Sequence, residues 1–134
     1  MATTEEEAVG DARREERKWG RNMTCYVTNQ TGVLADVYAW HKWDGKRQDG
    51  QGTPLSPGQS FSFGIEVGGG GHDLWSLMYD TRDSPPRSRN RSDKQCDVTH
   101  GDLSSGGSVY INVGWDNFSV VLPDSSSCNE NSYA

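Results

Sequence analysis

Three histidines, several tryptophans beside polar turns and a run of alternating arginines are the residues of this chain whose chemistry could act on another molecule. His72-Asp73, next to the glycine run Gly68 to Gly71, is the nearest approach to an activated acid–base pair. Neighbours on a strand point to opposite faces, so these two cannot hold one substrate together without a distortion at Gly71. A metal site built from His41, His72 and either Asp44 or Asp73 would need two strands to become neighbours, and the sequence holds neither an EF-hand loop nor an HExxH. The glycines before His72 lack the GK[ST] and the following helix of a phosphate loop, since LWSLMY comes next, and they read as a turn. Catalysis is therefore not expected, and neither is a cofactor.

Aromatic and cationic side chains carry the stronger signal. Trp40 and Trp75 fit core packing, whereas Trp43, between Lys42 and Asp44, and Trp115, between Gly114 and Asp116, read as half exposed. Half-exposed indoles stack on sugars and meet lipid headgroups. Arg87, Arg89 and Arg91 recur at every second residue behind Pro85-Pro86, so an extended backbone would turn all three guanidinium groups to one side, suited to phosphate, sulfate or carboxylate. The ordinary alternative is a solvated Ser- and Arg-rich loop. The candidate ligand-binding set is thus Trp43, His72, Trp115, Arg87, Arg89 and Arg91.

Those residues need a frame, and alternation supplies one. Phe61, Phe63, Ile65 and Val67 share one face of a strand, and Asp73, Trp75, Leu77 and Tyr79 share a face of the next. The simplest arrangement is a hairpin reversing at the four glycines, at the centre of an antiparallel sheet. Met23, Cys25 and Val27 alternate before it, as do Val33, Ala35, Val37 and Ala39. Val109, Ile111 and Val113, and then Phe118, Val120 and Leu122, alternate after it. Residues 44–58 read as a Gly- and Pro-punctuated loop, and residues 80–94 as an irregular segment projecting into solvent. No helical period occurs inside residues 23–123. The expected fold is an all-β, antiparallel β-sandwich of about seven to nine short strands. A charged N-terminal arm (1–22) precedes the sandwich domain (23–123), and a polar C-terminal tail (124–134) follows it.

Charge and cysteines restrict the partners. The net charge of −6 divides into −1 over residues 1–22, −3 over 23–80, +3 over 81–94 and −5 over 95–134. Such a surface repels phosphate backbones, so nucleic acid is not an expected partner. No run reaches the roughly 18 apolar residues of a membrane span, and no basic segment followed by an apolar stretch opens the chain, so a cytoplasmic location is the default. Cys25, Cys96 and Cys128 lack CxxC spacing. They read either as free thiols or, outside the cytosol, as one Cys96–Cys128 bridge beside a lone Cys25. Four Asn-x-Ser/Thr sequons, at Asn22, Asn29, Asn90 and Asn117, have meaning only on a secretory route.

A set of short motifs comes in a suggestive order: V-T-N-Q-T-G, V-Y-A-W-H-K-W, L-S-P-G-Q-S, G-G-H-D-L-W-S-L, K-Q-C-D-V and S-S-S-C. Over about residues 24–128 the chain resembles the small proteins up-regulated in long-lived daf-2 worms and their fungal relatives. The resemblance implies a β-sandwich related in shape to the aegerolysins, which bind membrane lipids, and it brings no catalytic residues. The Arg-rich loop matches no part of that pattern. Together these readings lead to a non-enzymatic binding module for a glycan, a lipid headgroup or a protein. The alternative is a structural protein that assembles into homo- or hetero-oligomers, such as a homo- or heterodimer, through its sheets.

Overall fold

The computed structural model describes residues 19–69, 72–105, 107–124 and 128–133. Nine strands follow in chain order. They are β1 (Trp19–Gln30), β2 (Ala35–Trp43), β3 (Lys46–Leu55), β4 (Ser60–Gly69), β5 (Leu74–Thr81), β6 (Ser88–Gln95), β7 (Ser108–Gly114), β8 (Asn117–Val121) and β9 (Cys128–Ser132), with one short helix, α1 (His100–Ser105), between β6 and β7. They form a five-stranded sheet in the order β4-β1-β7-β8-β9 and a four-stranded sheet in the order β3-β2-β5-β6. All pairs are antiparallel except β1 with β7, where Tyr26 sits opposite Tyr110 in a parallel register. The all-β sandwich expected from alternation is the fold.

Between the sheets lies the core, filled from the inward positions of each strand: Cys25 and Val27, Val37 and Ala39, Ile65 and Val67, Trp75, Leu77 and Tyr79, Val109, Ile111 and Val113, Phe118 and Val120. Phe61 and Phe63 pack against this core while staying partly exposed. Sequence alternation therefore assigns the inward faces of β1, β4, β5, β7 and β8 correctly, whereas both faces of β2 are largely apolar and its Trp40, expected in the core, is on the outward one.

Connections and edges depart from the expected pattern. β4 and β5 are not hairpin partners. They belong to different sheets, so the glycine run joins one sheet to the other, and β4 is an edge strand rather than the centre. Both segments carry an apolar face, and two apolar faces are buried as well by stacking as by pairing side by side. Residues 46–55, expected in a loop, form β3. Asp44 and Gly45 both take positive φ, 52° and 75°, the two-residue turn that a tight hairpin demands. β3 shows no apolar alternation because its inward positions include Gly50 and Gly52, which make room for the rings of Phe61 and Phe63 opposite. A Cβ on Gly50 would stand 2.5 Å from Phe63 Cδ1 and 2.8 Å from Phe61 Cε1.

The segment expected to project into solvent forms β6, paired to β5 with Tyr79 opposite Arg89 and Leu77 opposite Arg91. Main-chain pairing holds it where side-chain apolarity does not, and Pro85-Pro86 is confined to the turn closed by Thr81 N–H to Arg87 O at 2.8 Å. The C-terminal tail is not loose in its described part, since β9 pairs with β8 and Tyr133 is buried with its hydroxyl donating to Gly114 O at 2.7 Å. At the other end β1 begins at Trp19, inside the expected arm, whose residues 1–18 lie outside the described residues. Cys96 and Cys128 form a disulfide that staples β9 to the segment after β6, and Cys25 is the free, buried cysteine.

This packing generates three predictions. Gly50→Ala should destabilise the fold by about 1 to 3 kcal/mol, because the ring cluster opposite leaves no space for the methyl group; a denaturation midpoint equal to that of the parent would contradict the packing. Burial pushes the Cys25 thiol pKa far above its ordinary value. A thiol reagent should therefore find no reactive group in the folded protein, one after unfolding and three after unfolding with reduction. Breaking the bridge, which spans 32 residues, should lower stability by roughly 3 to 4 kcal/mol in chemical denaturation.

Candidate functional site

His41 and Asp73 come together where the sequence shows them 32 residues apart. His41 occupies an inward position of β2, Asp73 precedes β5, and His41 Nε2 lies 2.9 Å from Asp73 Oδ1 with both side chains fully buried. The other ring nitrogen, Nδ1, is 3.0 Å from Gln48 Oε1, and that oxygen also accepts the Glu66 N–H at 3.2 Å, which sets the orientation of the amide. Both ring nitrogens thus lie within hydrogen-bond distance of an oxygen. Asp73 Oδ2 accepts the Val98 N–H at 2.9 Å. The pair resembles the acid–base half of a hydrolytic triad, but a reacting substrate must reach one of its atoms, and both residues are sealed. It is an internal brace.

Of the residues singled out by the sequence, His72 is exposed, with Nδ1 2.9 Å from Gln95 Nε2 and 3.3 Å from Asp97 Oδ2. Asp73 points inward and His72 outward, as adjacent strand residues must. Trp43 is buried, 3% exposed, rather than half exposed, because it continues the inward series of Ala39 and His41 along β2. It shares a cleft of about 220 Å³ with His72, Lys42 and Leu74. Trp115, in the β7–β8 turn, is at the other end of the sandwich. Its carbonyl accepts the Tyr79 hydroxyl at 2.6 Å, and β5 places Tyr79 about 20 Å from Asp73 at ~3.4 Å per residue. His72 and Trp115 therefore form no joint site.

The arginines face the gap between the sheets at the β6/β9 edge. The Arg87 guanidinium lies 4.1 Å over the Trp115 ring and donates to Asp116 Oδ1 at 2.7 Å, so indole and cation satisfy each other. Arg91 donates to Ser132 O at 3.2 Å, and Arg89 to the neighbouring Ser88 O at 3.1 Å. They recur on one side of the strand as their spacing predicts, but that side closes the edge.

Trp40, which fits core packing from sequence, is on the outer face of the four-stranded sheet. The inward places of β2 are taken by Ala35, Val37 and Ala39, so Tyr38 and Trp40 must face out. Tyr38 lies opposite Gln51 on one side and Met78 on the other, and Trp40 lies opposite Asp49. With Arg47, these residues line an open groove of about 560 Å³. Arg47 Cζ is 4.8 Å from the centroid of Trp40, and its Nε and Nη2 donate to Asp49 Oδ1 and Oδ2 at 2.8 and 3.2 Å. That hydrogen bond to Asp49 pushes the Arg47 pKa above its ordinary value. Elsewhere on the face Arg82 is paired with Asp36 at 2.7 Å, and Lys42 with Asp93 at 3.0 Å. The groove therefore joins an aromatic and thioether wall to a fork of fixed polar groups whose charges cancel. Small apolar residues alternating with Tyr and Trp on β2 were the signal that could have revealed it.

The class defined by fold and groove is an all-β sandwich with an aromatic, charge-balanced furrow on one outer sheet face. No protein-family model matches the chain, and no curated protein matches it. Among solved structures, a chain described as "Trapped Toxin" aligns with 79% of this chain at 11% identity and a TM-score of 0.30, and the chain spans 24% of that structure's length.

The brace is open to a direct test. Asp73→Asn should cost about 1 to 3 kcal/mol of unfolding free energy, since the amide has one acceptor oxygen where the carboxylate has two and leaves either His41 or the buried Val98 N–H facing a donor. A stability within experimental error of the parent would show that the pair does not hold β2 to β5.

Proposed function

We propose that the protein is a non-catalytic carbohydrate-binding module that holds a neutral glycan in the outer groove of its four-stranded sheet. The observation that carries this reading is the arrangement of Trp40, Tyr38 and Met78 beside the fixed Arg47–Asp49 pair and Gln51. A pyranose has a C–H face that packs on aromatic rings and equatorial hydroxyls that need both donors and acceptors. Arg47 supplies donors, Asp49 acceptors and Gln51 both. Pairing of the charges supports a neutral ligand over a sulfated glycan or an anionic headgroup, which would have to break the Arg47–Asp49 bond. The Cys96–Cys128 bridge supports residence in an oxidising compartment, where extended glycans are displayed, rather than the cytosol expected by default.

The test is a glycan array followed by calorimetry on the best neutral oligosaccharide. Trp40→Ala should weaken binding about tenfold or more, consistent with an aromatic contact of ~0.5–1.5 kcal/mol beyond its buried area. Affinity should change less than about twofold between ~50 and ~500 mM salt, because no unpaired charge takes part. Binding confined to anionic vesicles or sulfated glycans, or Trp40→Ala binding as the parent does, would overturn the assignment.

A further inference from the structure

The fold sorts the four Asn-x-Ser/Thr sequons of the chain by what surrounds each asparagine. Asn29 is fully buried and its amide donates to Val33 O and Leu55 O at 2.8 Å each, so both of its N–H groups are taken and no sugar can be attached without breaking the turn. Asn22, Asn90 and Asn117 are exposed. Among them Asn90 has a particular neighbour, because it pairs with Met78 across β5 and β6, and directly opposed residues of adjacent strands share a face. Leu77 and Tyr79 point into the core, so Met78 and Asn90 point outward, onto the face that holds the groove. Met78 is itself part of the groove wall, with Tyr38 opposite it on the next strand. Gln51, Tyr38, Met78 and Asn90 therefore form one row across β3, β2, β5 and β6, and Asn90 ends the row on the edge strand, two strands or roughly 10 Å from Tyr38. The other exposed sequons are elsewhere: Asn22 lies opposite Glu66 and Asn117 opposite Ser132, both on the five-stranded sheet.

We propose that Asn90 is an N-glycosylation site and that the sugars attached to it lie in the Tyr38–Trp40 groove, so that the chain carries a tethered occupant of its own site. The modification takes an oligosaccharide from a lipid-linked oligosaccharide pyrophosphate. Asn90 Nδ2 attacks the anomeric carbon of the first sugar, the C–N bond forms as the C–O bond to the pyrophosphate breaks, Nδ2 gives up a proton and the lipid pyrophosphate leaves with the bonding pair. Ser92 completes the acceptor sequence and is exposed as Asn90 is. The Cys96–Cys128 bridge supports the oxidising compartment in which such a transfer takes place. The first sugars of the glycan are uncharged, which suits a groove whose Arg47 and Asp49 already neutralise each other. A chain starting at Asn90 meets Met78 first and then Tyr38, within the reach of a disaccharide. So short a tether holds a sugar at an effective concentration on the order of millimolar, enough to compete with a weakly bound free oligosaccharide. Occupation of the groove rests on the reading of that groove as a sugar site, whereas modification of Asn90 does not.

The full chain, produced through a eukaryotic secretory route and digested to glycopeptides, should show by mass spectrometry an oligosaccharide on Asn90 and none on Asn29. Calorimetry with a neutral oligosaccharide should give an affinity on the order of tenfold higher for Asn90→Gln than for the glycosylated parent, while Asn117→Gln, on the other sheet, should bind as the parent does. In the Asn117→Gln background, removing the glycans with peptide N-glycosidase should shift the tryptophan fluorescence, and the shift should vanish when Trp40→Ala is added. An Asn90 that is bare in the secreted protein would overturn the proposal, as would an occupied Asn90 whose loss changes neither affinity nor fluorescence. A chain made without glycans that binds no free oligosaccharide, with the fluorescence shift intact in the glycosylated form, would overturn the groove as a receptor for external glycans and leave the tethered occupant standing.

Discussion

The buried pair of His41 and Asp73 is the constraint on which the arrangement of both sheets depends. Asp73 binds in four directions: one carboxylate oxygen to His41, the other to the Val98 N–H, its carbonyl to the Cys96 N–H at 3.0 Å and its own N–H to Asp97 Oδ1 at 3.1 Å. His41 continues through Gln48 on β3 to the backbone of Glu66 on β4, in the opposite sheet. A single chain of hydrogen bonds therefore runs from the edge of one sheet, across the other, to the segment that carries the disulfide. Burying polar groups is costly, and apolar residues of similar volume would often stabilise a core as well. What such a network adds is register. A slip of one residue in β2 or β5 would carry His41 or the Asp73 segment to the solvent face and leave its partner unmatched in the core.

Closure of the sandwich is achieved differently at its two edges. At the β3/β4 edge two glycines yield space to two phenylalanine rings, so the sheets approach closely without a covalent tie. At the β6/β9 edge the strands are polar and the gap is filled by Arg87 over Trp115, by Arg91 on Ser132 O and by Tyr79 and Tyr133, which meet edge to face at 5.6 Å. The Cys96–Cys128 bridge then restrains that edge covalently. Burial pushes both tyrosine hydroxyls above their ordinary pKa, and each donates to a carbonyl of the β7–β8 turn. Cations at this edge are thus part of the seam rather than a free anion-reading arm.

How much of this could be read in advance depends on where apolar side chains report the pairing. Faces of β5 and β7 were legible because Leu77 and Ile111 lead strict alternations into a shared core. β3 and β6 were not, since their place is set by main-chain pairing, by an Asp44-Gly45 turn and, in β3, by glycines whose role is to be absent from space a ring needs. β4 and β5 illustrate a second limit: alternation identifies a strand and its buried face but not the sheet it joins. Trp40 and Trp43 illustrate a third. They are three residues apart on one strand and so take opposite faces, and the choice between them rests on which face carries the small residues that fit between the sheets. Asn29 carries a sequon in the sequence, yet in the fold its amide donates to Val33 O and Leu55 O at 2.8 Å each and accepts from Thr31, so it is a buried turn anchor.

The same economy of volume explains why an aromatic groove exists at all. β2 fills its inward positions with Ala35, Val37 and Ala39, and the bulk of the core comes from Trp75, Leu77 and Tyr79 on the neighbouring strand. Tyr38 and Trp40 are then available for the outer surface, on the same strand whose inner side is fixed by His41. Tyr38, Trp40 and Met78 stand on the two central strands of that sheet, over inner residues that are buried, whereas Arg47, Asp49 and Gln51 stand on its edge strand β3. The opposite sheet differs, with Tyr26 and Tyr110 exposed on its outer face and stacked on each other.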